Sequence, residues 1–180
     1  MPYIRLAGAL AAAAILAAGC GAHPGAQQRA ESTPPTAPAG AAGHTVPEQL
    51  HFTAKTIEGQ EFQGASLFGK PAVLWFWTPW CPTCQGEAPM VGQAAAAHPG
   101  VTFVGVAGQD QVAAMRAFVD KYPVKNFTQL ADTTGAIWTK FGVTQQPAFA
   151  FIRPNGSIDV VKSAISKADL NNRTAALTTP

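Results

Sequence analysis

Past the first quarter of the chain, the pattern of apolar and polar positions predicts a series of strands. Residues 50–57 alternate between apolar and polar side chains, which indicates a half-buried strand, and a turn then leads to a short partner near Glu61-Phe62. Residues 72–77, with the sequence AVLWFW, are apolar without alternation, so we expect a central strand with both faces covered. A similar run over residues 101–107 predicts a neighbouring strand.

Helices are predicted between and after these strands. The segment from Pro82 to His98 has a proline suited to the first helical position and ends before a Pro-Gly pair, and Pro89 within it is expected to kink the axis. A helix between two apolar strands indicates a parallel pair joined by a right-handed crossover. After Asp110, apolar residues at helical spacing predict a second helix packed on the core: Val112, Met115, Phe118, Val119 and Tyr122.

The last third of the chain predicts a short helix, a hairpin and a final helix. Asp132 is expected to cap the short helix, and Ser166 to cap the last one. Between them, Asn155-Gly156 predicts a tight turn that joins antiparallel strands at residues 148–152 and 157–161. The order β-α-β, α, β-hairpin, α predicts an α/β fold, with a mixed sheet and helices on both of its faces.

The N-terminus predicts export. Residues 6–19 are apolar and rich in alanine, and they follow a single basic residue, Arg5. Fourteen residues would extend only about 21 Å as a helix, which is short of the ~30 Å hydrocarbon core of a membrane. This length is typical of a signal peptide, so we expect residues 1–19 to be removed and the protein to work outside the cytoplasm.

Cys20 predicts a lipid anchor. The small residues directly before it resemble a bacterial lipobox, in which the cysteine becomes the acylated first residue of the mature protein. We therefore expect the protein to be anchored at the outer face of the cell membrane. The alternative is a secreted protein that is cut near Ala18 and keeps Cys20 as an odd thiol.

Residues 20–47 predict a disordered tether that precedes one domain at residues 48–180. Sixteen of the 27 residues in the range 21–47 are Ala, Gly or Pro, and such a segment cannot bury enough apolar surface to offset the entropy lost on ordering. As a flexible chain it would span roughly 30 Å. Without Arg5, eleven basic residues stand against ten acidic ones and form no basic run, which argues against nucleic acid as a partner.

Cys81 and Cys84 follow the central strand directly, in the sequence Trp-Cys-Pro-Thr-Cys, and open the first long helix. Unpaired N–H groups and the positive end of the helix dipole favour a thiolate there, which is the form that attacks disulfides. A structural zinc would need further ligands, for which only Cys20 and four scattered histidines are available. An inert disulfide that closes so short a loop would stabilise little. The residues therefore favour a redox pair over both alternatives.

The strand, the FWTPWCPTC motif at residues 76–84 and a proline 66 residues after the first cysteine of that motif together resemble the thioredoxin superfamily. The continuation Cys-Gln-Gly-Glu-Ala-Pro at residues 84–89 is similar to its extracytoplasmic TlpA/DsbE-type branch. Gln-Pro-Ala at residues 146–148 and the lipoprotein-like leader are similar to actinobacterial DsbE/DsbF-type thiol:disulfide oxidoreductases. The resemblance implies a thioredoxin-like three-layer fold over roughly residues 52–177.

The resemblance also implies roles for residues around the cysteine pair. Cys81 would be the exposed nucleophile and Cys84 the buried resolving thiol, with Pro82 and Thr83 between them supporting the thiolate. Glu87, one helical turn after the second cysteine, would be a proton relay, and burial would raise its pKa by desolvation. The alternative is a solvated glutamate on the helix surface.

A substrate-binding surface is implied beside the pair. Pro147 would be a cis-proline that faces the disulfide, although a trans bond is the default for X–Pro. Gln146 would offer backbone groups to a bound peptide strand, and Trp80 would cover the pair and line the docking surface. Trp75 and Phe76 are expected in the core, and Trp75 stands where thioredoxins carry a buried aspartate.

The direction of electron flow stays open. The resemblance implies an oxidase that forms disulfides in exported proteins. We also expect a monomer, with no metal and no cofactor beyond the cysteine pair. A quinone-linked membrane oxidoreductase of the vitamin K epoxide reductase type would regenerate it. The alternative enzyme is a disulfide reductase in cytochrome c maturation. The alternative outside enzymes is a non-catalytic lipoprotein that serves as a chaperone or metal carrier.

Overall fold

The structure is a computed structural model, of which residues 45–179 are described. The predicted signal peptide, the predicted acylation site at Cys20 and most of the predicted tether lie outside the described residues. The strands are β1 (Thr53–Lys55), β2 (Glu61–Gln63), β3 (Ala72–Trp77), β4 (Thr102–Gly108), β5 (Thr128–Asp132), β6 (Ala148–Ile152) and β7 (Ile158–Val161). The helices are α1 (Pro82–Ala97), α2 (Val112–Lys121), α3 (Ala136–Lys140) and α4 (Lys167–Ala175).

Five strands form the main sheet in the order β5-β4-β3-β6-β7. The pairs β3–β4 and β4–β5 are parallel, whereas β3–β6 and β6–β7 are antiparallel, so the predicted mixed sheet is confirmed. The hairpin of β1 and β2 forms a separate two-stranded sheet, which touches the edge strand β5 through a bridge between Thr56 and Leu130. None of the described helices is long and apolar enough to cross a membrane.

The central strand β3 is covered on both faces, as its unbroken apolar sequence predicts. Val73, Trp75 and Trp77 belong to one core cluster, together with buried side chains of α1, α2 and α4. Leu74 and Phe76 belong to a second cluster on the opposite face, together with buried side chains of α3. Helices therefore cover both faces of the sheet, in the three layers of the predicted thioredoxin-like fold.

The strand predicted over residues 50–57 is wrong in its extent. Only Thr53–Lys55 forms a strand, because a 3₁₀ turn over Glu48–Leu50 precedes it. That turn is closed by a hydrogen bond from the Leu50 N–H to the carbonyl oxygen of Pro47. Leu50 is fully buried, so its place in the apolar pattern reflects core packing and not strand alternation.

The predicted element order lacks β5, which the structure places at the edge of the main sheet. Its sequence, TQLAD, contains a buried polar residue, Gln129, which gives no apolar signal. The side chain of Gln129 accepts a hydrogen bond from Trp77 Nε1 at 3.1 Å and donates one to the carbonyl oxygen of Val124 at 2.8 Å. This amide is satisfied inside the core, and so the strand can be buried without an apolar sequence.

Both predicted helix caps form hydrogen bonds to the helix start, although Asp132 does so from the end of a strand and not from the residue next to its helix. Ser166 caps α4 by accepting a hydrogen bond from the N–H of Asp169 at 3.0 Å. Asp132 is the last residue of β5, yet its carboxylate reaches the start of α3 and accepts bonds from the N–H groups of Ile137 and Trp138. Helix α1 continues from Pro82 to Ala97 through its internal proline.

Candidate active site

The two cysteines lie where β3 ends and α1 begins. Cys81 is the N-cap of α1, and Pro82 is the first helical residue, as the sequence predicts. Cys81 and Cys84 form a disulfide with their Cα atoms 5.3 Å apart. The backbone N–H of Cys84 donates a hydrogen bond to Cys81 Sγ at 3.1 Å. This N–H is one that a helix leaves unpaired in its first turn, so the sulfur takes the place of a capping oxygen.

The disulfide is almost fully enclosed. Cys81 is 4% exposed and Cys84 is 0% exposed. In this oxidised form Cys81 is therefore not the exposed residue that the resemblance implies, because its sulfur is bonded to Cys84 and turned onto the helix end. Both residues are buried in the disulfide form, so the order in which a substrate attacks the two sulfurs stays a prediction.

Pro82 and Thr83 are both exposed on the first turn of α1. Among the described residues, the hydrogen bond at a cysteine sulfur is the one from the Cys84 N–H, and the Thr83 hydroxyl bonds neither sulfur in this disulfide form. The thiolate forms only on reduction, so support of the thiolate by these two residues stays a prediction.

Trp80 stands next to the disulfide and is the large apolar side chain with the greatest exposure among the described residues, at 52%. Its indole Nε1 lies 3.4 Å from the carbonyl oxygen of Gln109, in the loop between β4 and α2. Gln109 has a φ of 57°, in the left-handed region that non-glycine residues seldom adopt. This loop therefore presents a backbone carbonyl towards the side chain for which the resemblance implies a role in substrate docking.

The Gln146–Pro147 peptide bond is cis, the form that the resemblance implies. Ala148, the next residue, pairs with Phe76 of β3, so Pro147 lies level with the end of β3, where the cysteine motif begins. Pro147 is buried and Gln146 is half-buried. The topology thus brings the cis-proline loop and the disulfide to the same end of the central strands β3 and β6, while the docking role of this loop stays a prediction.

Glu87 is buried on α1, with 6% of its surface exposed, so the alternative of a solvated glutamate is wrong. Its Oε1 accepts a hydrogen bond from the backbone N–H of Ile165 at 3.3 Å, whereas its Oε2 has no partner among the described residues. Desolvation by burial raises the pKa of Glu87 from 4.5 to about 7, and the N–H groups of Ile165 and Trp75 act in the opposite direction. Glu87 lies three residues after Cys84, which places the two side chains on one face of the helix.

Two groups at the site were not predicted, the carbonyl of Gln109 and the N–H of Ile165. Both are backbone groups, which every residue carries, so no side-chain pattern in the sequence could indicate them. Among residues 45–179, no three His, Cys, Asp or Glu side chains lie close enough together to hold a metal ion. A large surface cleft between β2, α2 and β5 contains none of the site residues.

Comparisons with known proteins agree with this geometry. Residues 42–161 match the model of the AhpC/TSA family. The soluble secreted antigen MPT53 of Mycobacterium tuberculosis is 54% identical over 134 residues, which cover 73% of this chain and 77% of that protein. Among solved structures, MTB dsbF in its mixed oxidized and reduced forms is 68% identical with a TM-score of 0.74, covering 74% of this chain and 100% of that one. A secreted disulfide oxidoreductase of M. tuberculosis, described as homologous to E. coli DsbE, is 52% identical with a TM-score of 0.69, covering 73% and 99%.

Proposed function

The chain belongs to the AhpC/TSA family and is a thiol–disulfide oxidoreductase of the DsbE/DsbF type, and we propose that it works as an oxidase that forms disulfides in exported proteins. The observation that carries this direction is the hydrogen bond from the Cys84 N–H to Cys81 Sγ at the start of α1. After reduction, this N–H and the helix dipole favour a thiolate at Cys81. Whatever stabilises the reduced form makes the disulfide a stronger oxidant.

The proposed reaction begins when a substrate thiolate attacks Cys81 Sγ. The bond between the two cysteines breaks, a mixed disulfide forms at Cys81, and Cys84 leaves as a thiolate. Glu87 in its protonated form gives its proton to Cys84 and becomes a carboxylate. A second substrate thiolate then attacks the substrate sulfur of the mixed disulfide, and Cys81 leaves as a thiolate. Two electrons have passed from the substrate dithiol to the cysteine pair.

The raised pKa of Glu87 suits this step. At a pKa of about 7, both the acid and the carboxylate are present near neutral pH. Glu87 can therefore protonate Cys84 when that thiol leaves and can take the proton back when the pair is reoxidised. Reoxidation needs an external acceptor of two electrons, and we assign it to a quinone-linked membrane oxidoreductase of the vitamin K epoxide reductase type.

Substrate binding is assigned to the surface around Trp80 and the cis-proline loop. The exposed ring of Trp80 can pack on an apolar side chain of an unfolded substrate. The backbone of Gln146, just before β6, can form hydrogen bonds with an extended peptide laid beside it. Trp80 and Gln146 lie at the end of the central strands that carries the disulfide, so a bound cysteine can reach Cys81.

We place the protein outside the cytoplasm, because one close relative is described as a secreted antigen and another as a secreted oxidoreductase. A lipid on Cys20 would hold it at the outer face of the membrane, near a membrane-bound electron acceptor. Release of the mature chain after cleavage is the alternative.

The direction of the reaction is tested by two measurements on the purified protein. Structural disulfides of secreted proteins have potentials below about −300 mV, whereas related redox pairs range from about −270 mV for thioredoxin to about −120 mV for a strong oxidant. We expect a potential above that of thioredoxin, and one new disulfide in reduced, unfolded ribonuclease A for each oxidised pair consumed.

The alternatives give different results. A disulfide reductase in cytochrome c maturation would have a potential near or below −270 mV and would reduce a disulfide-bonded CxxCH peptide faster than it oxidises the dithiol form. A chaperone or metal carrier would keep its activity after the double substitution Cys81→Ser and Cys84→Ser. The same substitution would abolish the activity of an oxidase or of a reductase, because both need the cysteine pair.

A further inference from the structure

Three buried side-chain polar atoms have no hydrogen-bond partner in the part of the chain that the structure describes. They are Trp75 Nε1, Thr78 Oγ1 and Glu87 Oε2. Buried polar atoms are nearly always paired in folded proteins, so unpaired ones call for an explanation. All three belong to β3, the residue after it, or α1, which are the elements that carry the cysteine motif.

Two of these atoms are complementary. The indole Nε1 of Trp75 can only donate, and Oε2 of an ionised Glu87 can only accept. The Trp75 side chain lies in one buried cluster with Cys84 and Ala88 of α1, the helix that carries Glu87 between them, and its indole N–H lowers the pKa of this carboxyl. The two other tryptophans that are buried on β3 and α3 already have acceptors, since Trp77 donates to Gln129 and Trp138 donates to the Val106 carbonyl oxygen, each at 3.1 Å.

We propose that Trp75 is a positioning residue for Glu87, and that its indole N–H donates a hydrogen bond to Oε2 whenever the carboxylate is ionised. This rests on the proposed function in one respect, that Glu87 exchanges a proton with Cys84. An ionised carboxylate forms stronger hydrogen bonds than a neutral acid does. Trp75 therefore favours the state in which Glu87 has given its proton away, against the burial that opposes it.

Within residues 45–179, no charged side chain lowers the pKa of Glu87 in place of Trp75. The pKa of Glu87 is raised by burial and lowered by the N–H groups of Ile165 and Trp75, without a contribution from an ion. The lysines nearest to Ile165 in sequence, Lys162 and Lys167, are exposed, and Lys167 donates a hydrogen bond to Gln93. Cys84, which titrates only when it is reduced, is the remaining titratable group on the same face of α1.

The first test uses the unaltered oxidised protein. The indole ¹H–¹⁵N resonance of Trp75 should shift with pH, and its midpoint should match that of the Glu87 carboxyl carbon, followed by ¹³C NMR in the same sample. The indole resonances of Trp77 and Trp138 are internal controls and should not follow this midpoint. A Trp75 resonance that does not follow the titration of Glu87 would overturn the proposal.

The second test removes the N–H. Trp75→Phe keeps an aromatic ring, and benzothienylalanine at the same position keeps the shape of the indole without its N–H, for the case that the phenylalanine variant does not fold. Either change should raise the pKa of Glu87 by about one unit, because the ionised form loses a donor. The pH profile of disulfide exchange should move upward by the same amount.

Trp77→Phe is the matched control, since it removes an N–H from the neighbouring ring of the same strand, where the acceptor is Gln129. It should leave the pKa of Glu87 unchanged, and an equal shift in this variant would overturn the proposal in favour of a general packing effect. In a Glu87→Gln background, Trp75→Phe should not move the exchange profile further. If Trp75→Phe shifts the pKa of Glu87 but leaves the pH profile of disulfide exchange unchanged, that result would support the hydrogen bond between Trp75 and Glu87. It would overturn the relay role of Glu87, and with it the role of Trp75 in catalysis.

Discussion

Cys84 and Glu87 lie one helical turn apart on the buried face of α1, where they are 0% and 6% exposed. In the proposed cycle the Cys84 thiol gains and loses a proton, and a carboxyl lies one turn away from it with little contact with water. The pKa of that carboxyl is raised to about 7 by burial, so it can act as an acid and as a base near neutral pH.

Glu87→Gln should slow disulfide exchange by about 10²–10⁴-fold, the usual contribution of a general acid or base. The variant should also lose the part of the pH dependence that is centred near 7, because an amide does not titrate. Stopped-flow kinetics from pH 5 to 9 would measure both effects. Asp120→Asn and Asp159→Asn change exposed acids and should retain the parent rates. A parent-like rate for Glu87→Gln across this range would mean that the proton of Cys84 goes directly to water.

The same carboxyl should make the stability of the oxidised protein depend on pH. The folded state holds this proton with a pKa of about 7 and the unfolded state with one near 4.5, so the stabilisation is complete below about pH 4.5 and is lost as the pH rises through 7. The loss has an upper bound of about 3.5 kcal/mol, from about 1.4 kcal/mol for each unit of the difference between 4.5 and about 7.

Urea unfolding of the parent and of Glu87→Gln at pH 5 and pH 8 would measure this effect. The free energy of unfolding of the parent should fall relative to that of the variant between the two values. Asp132, whose pKa is also raised by burial, is present in both proteins and cancels in the difference. An equal difference between the two proteins at both pH values would contradict the raised pKa of Glu87.

A third prediction concerns the order of attack on the two sulfurs. Cys84→Ser, loaded at Cys81 with thionitrobenzoate, should react with a single-cysteine peptide and form a lasting mixed disulfide, because no resolving thiol remains. Cys81→Ser is the matched control, and it should form few adducts because Cys84 is fully buried. Mass spectrometry of the adducts would identify the sulfur involved. Adducts that form mainly at Cys84 would reverse the two roles, and equal amounts at both sulfurs would contradict the order of attack.

The strand β3 and the start of α1 could be predicted from the sequence, because the residue pattern at each place is compatible with only one local structure. The unbroken apolar run of β3 requires cover on both faces, and Pro82 after Cys81 defines the start of α1. The redox pair follows from two cysteines at the start of a helix, whereas the cis bond before Pro147 is predicted only through the family resemblance, since spacing alone would not favour a cis bond over a trans bond.

Other parts of the structure could not be predicted, for physical reasons. The strand β5 is buried through Gln129, whose amide is satisfied by Trp77 and a backbone carbonyl, so its sequence does not appear apolar. Leu50 has the spacing of a strand residue but packs into the core from a 3₁₀ turn. The N–H of Ile165 reaches Glu87 from 78 residues away, and only the folded chain brings such groups together.

The predicted lipid on Cys20 lies outside the described residues and can be tested directly. Mass spectrometry of the N-terminus of the native protein, taken from cell membranes, should find an acylated Cys20. A Cys20→Ala variant should leave the membrane fraction, while its purified domain should exchange disulfides as the parent does. An unmodified mature chain in the medium would contradict the anchor and leave secretion as the mode of export.

Trp80 provides the last prediction, which separates substrate binding from chemistry. Its side chain is 52% exposed and has a single long hydrogen bond, to Gln109, so Trp80→Ala should change the free energy of unfolding by no more than about 0.5 kcal/mol. If the ring packs on protein substrates, the KM for a reduced, unfolded protein should rise by roughly tenfold, because an aromatic contact of this kind contributes on the order of 1 kcal/mol or more. The rate with a small thiol such as glutathione should stay near that of the parent, since a small thiol needs only Cys81.

Trp80→Phe is the control for this prediction. It should recover most of the loss, which would assign the effect to the apolar ring and not to the indole N–H. An equal loss of rate with glutathione and with protein would place Trp80 in the chemistry of the disulfide and not in substrate docking.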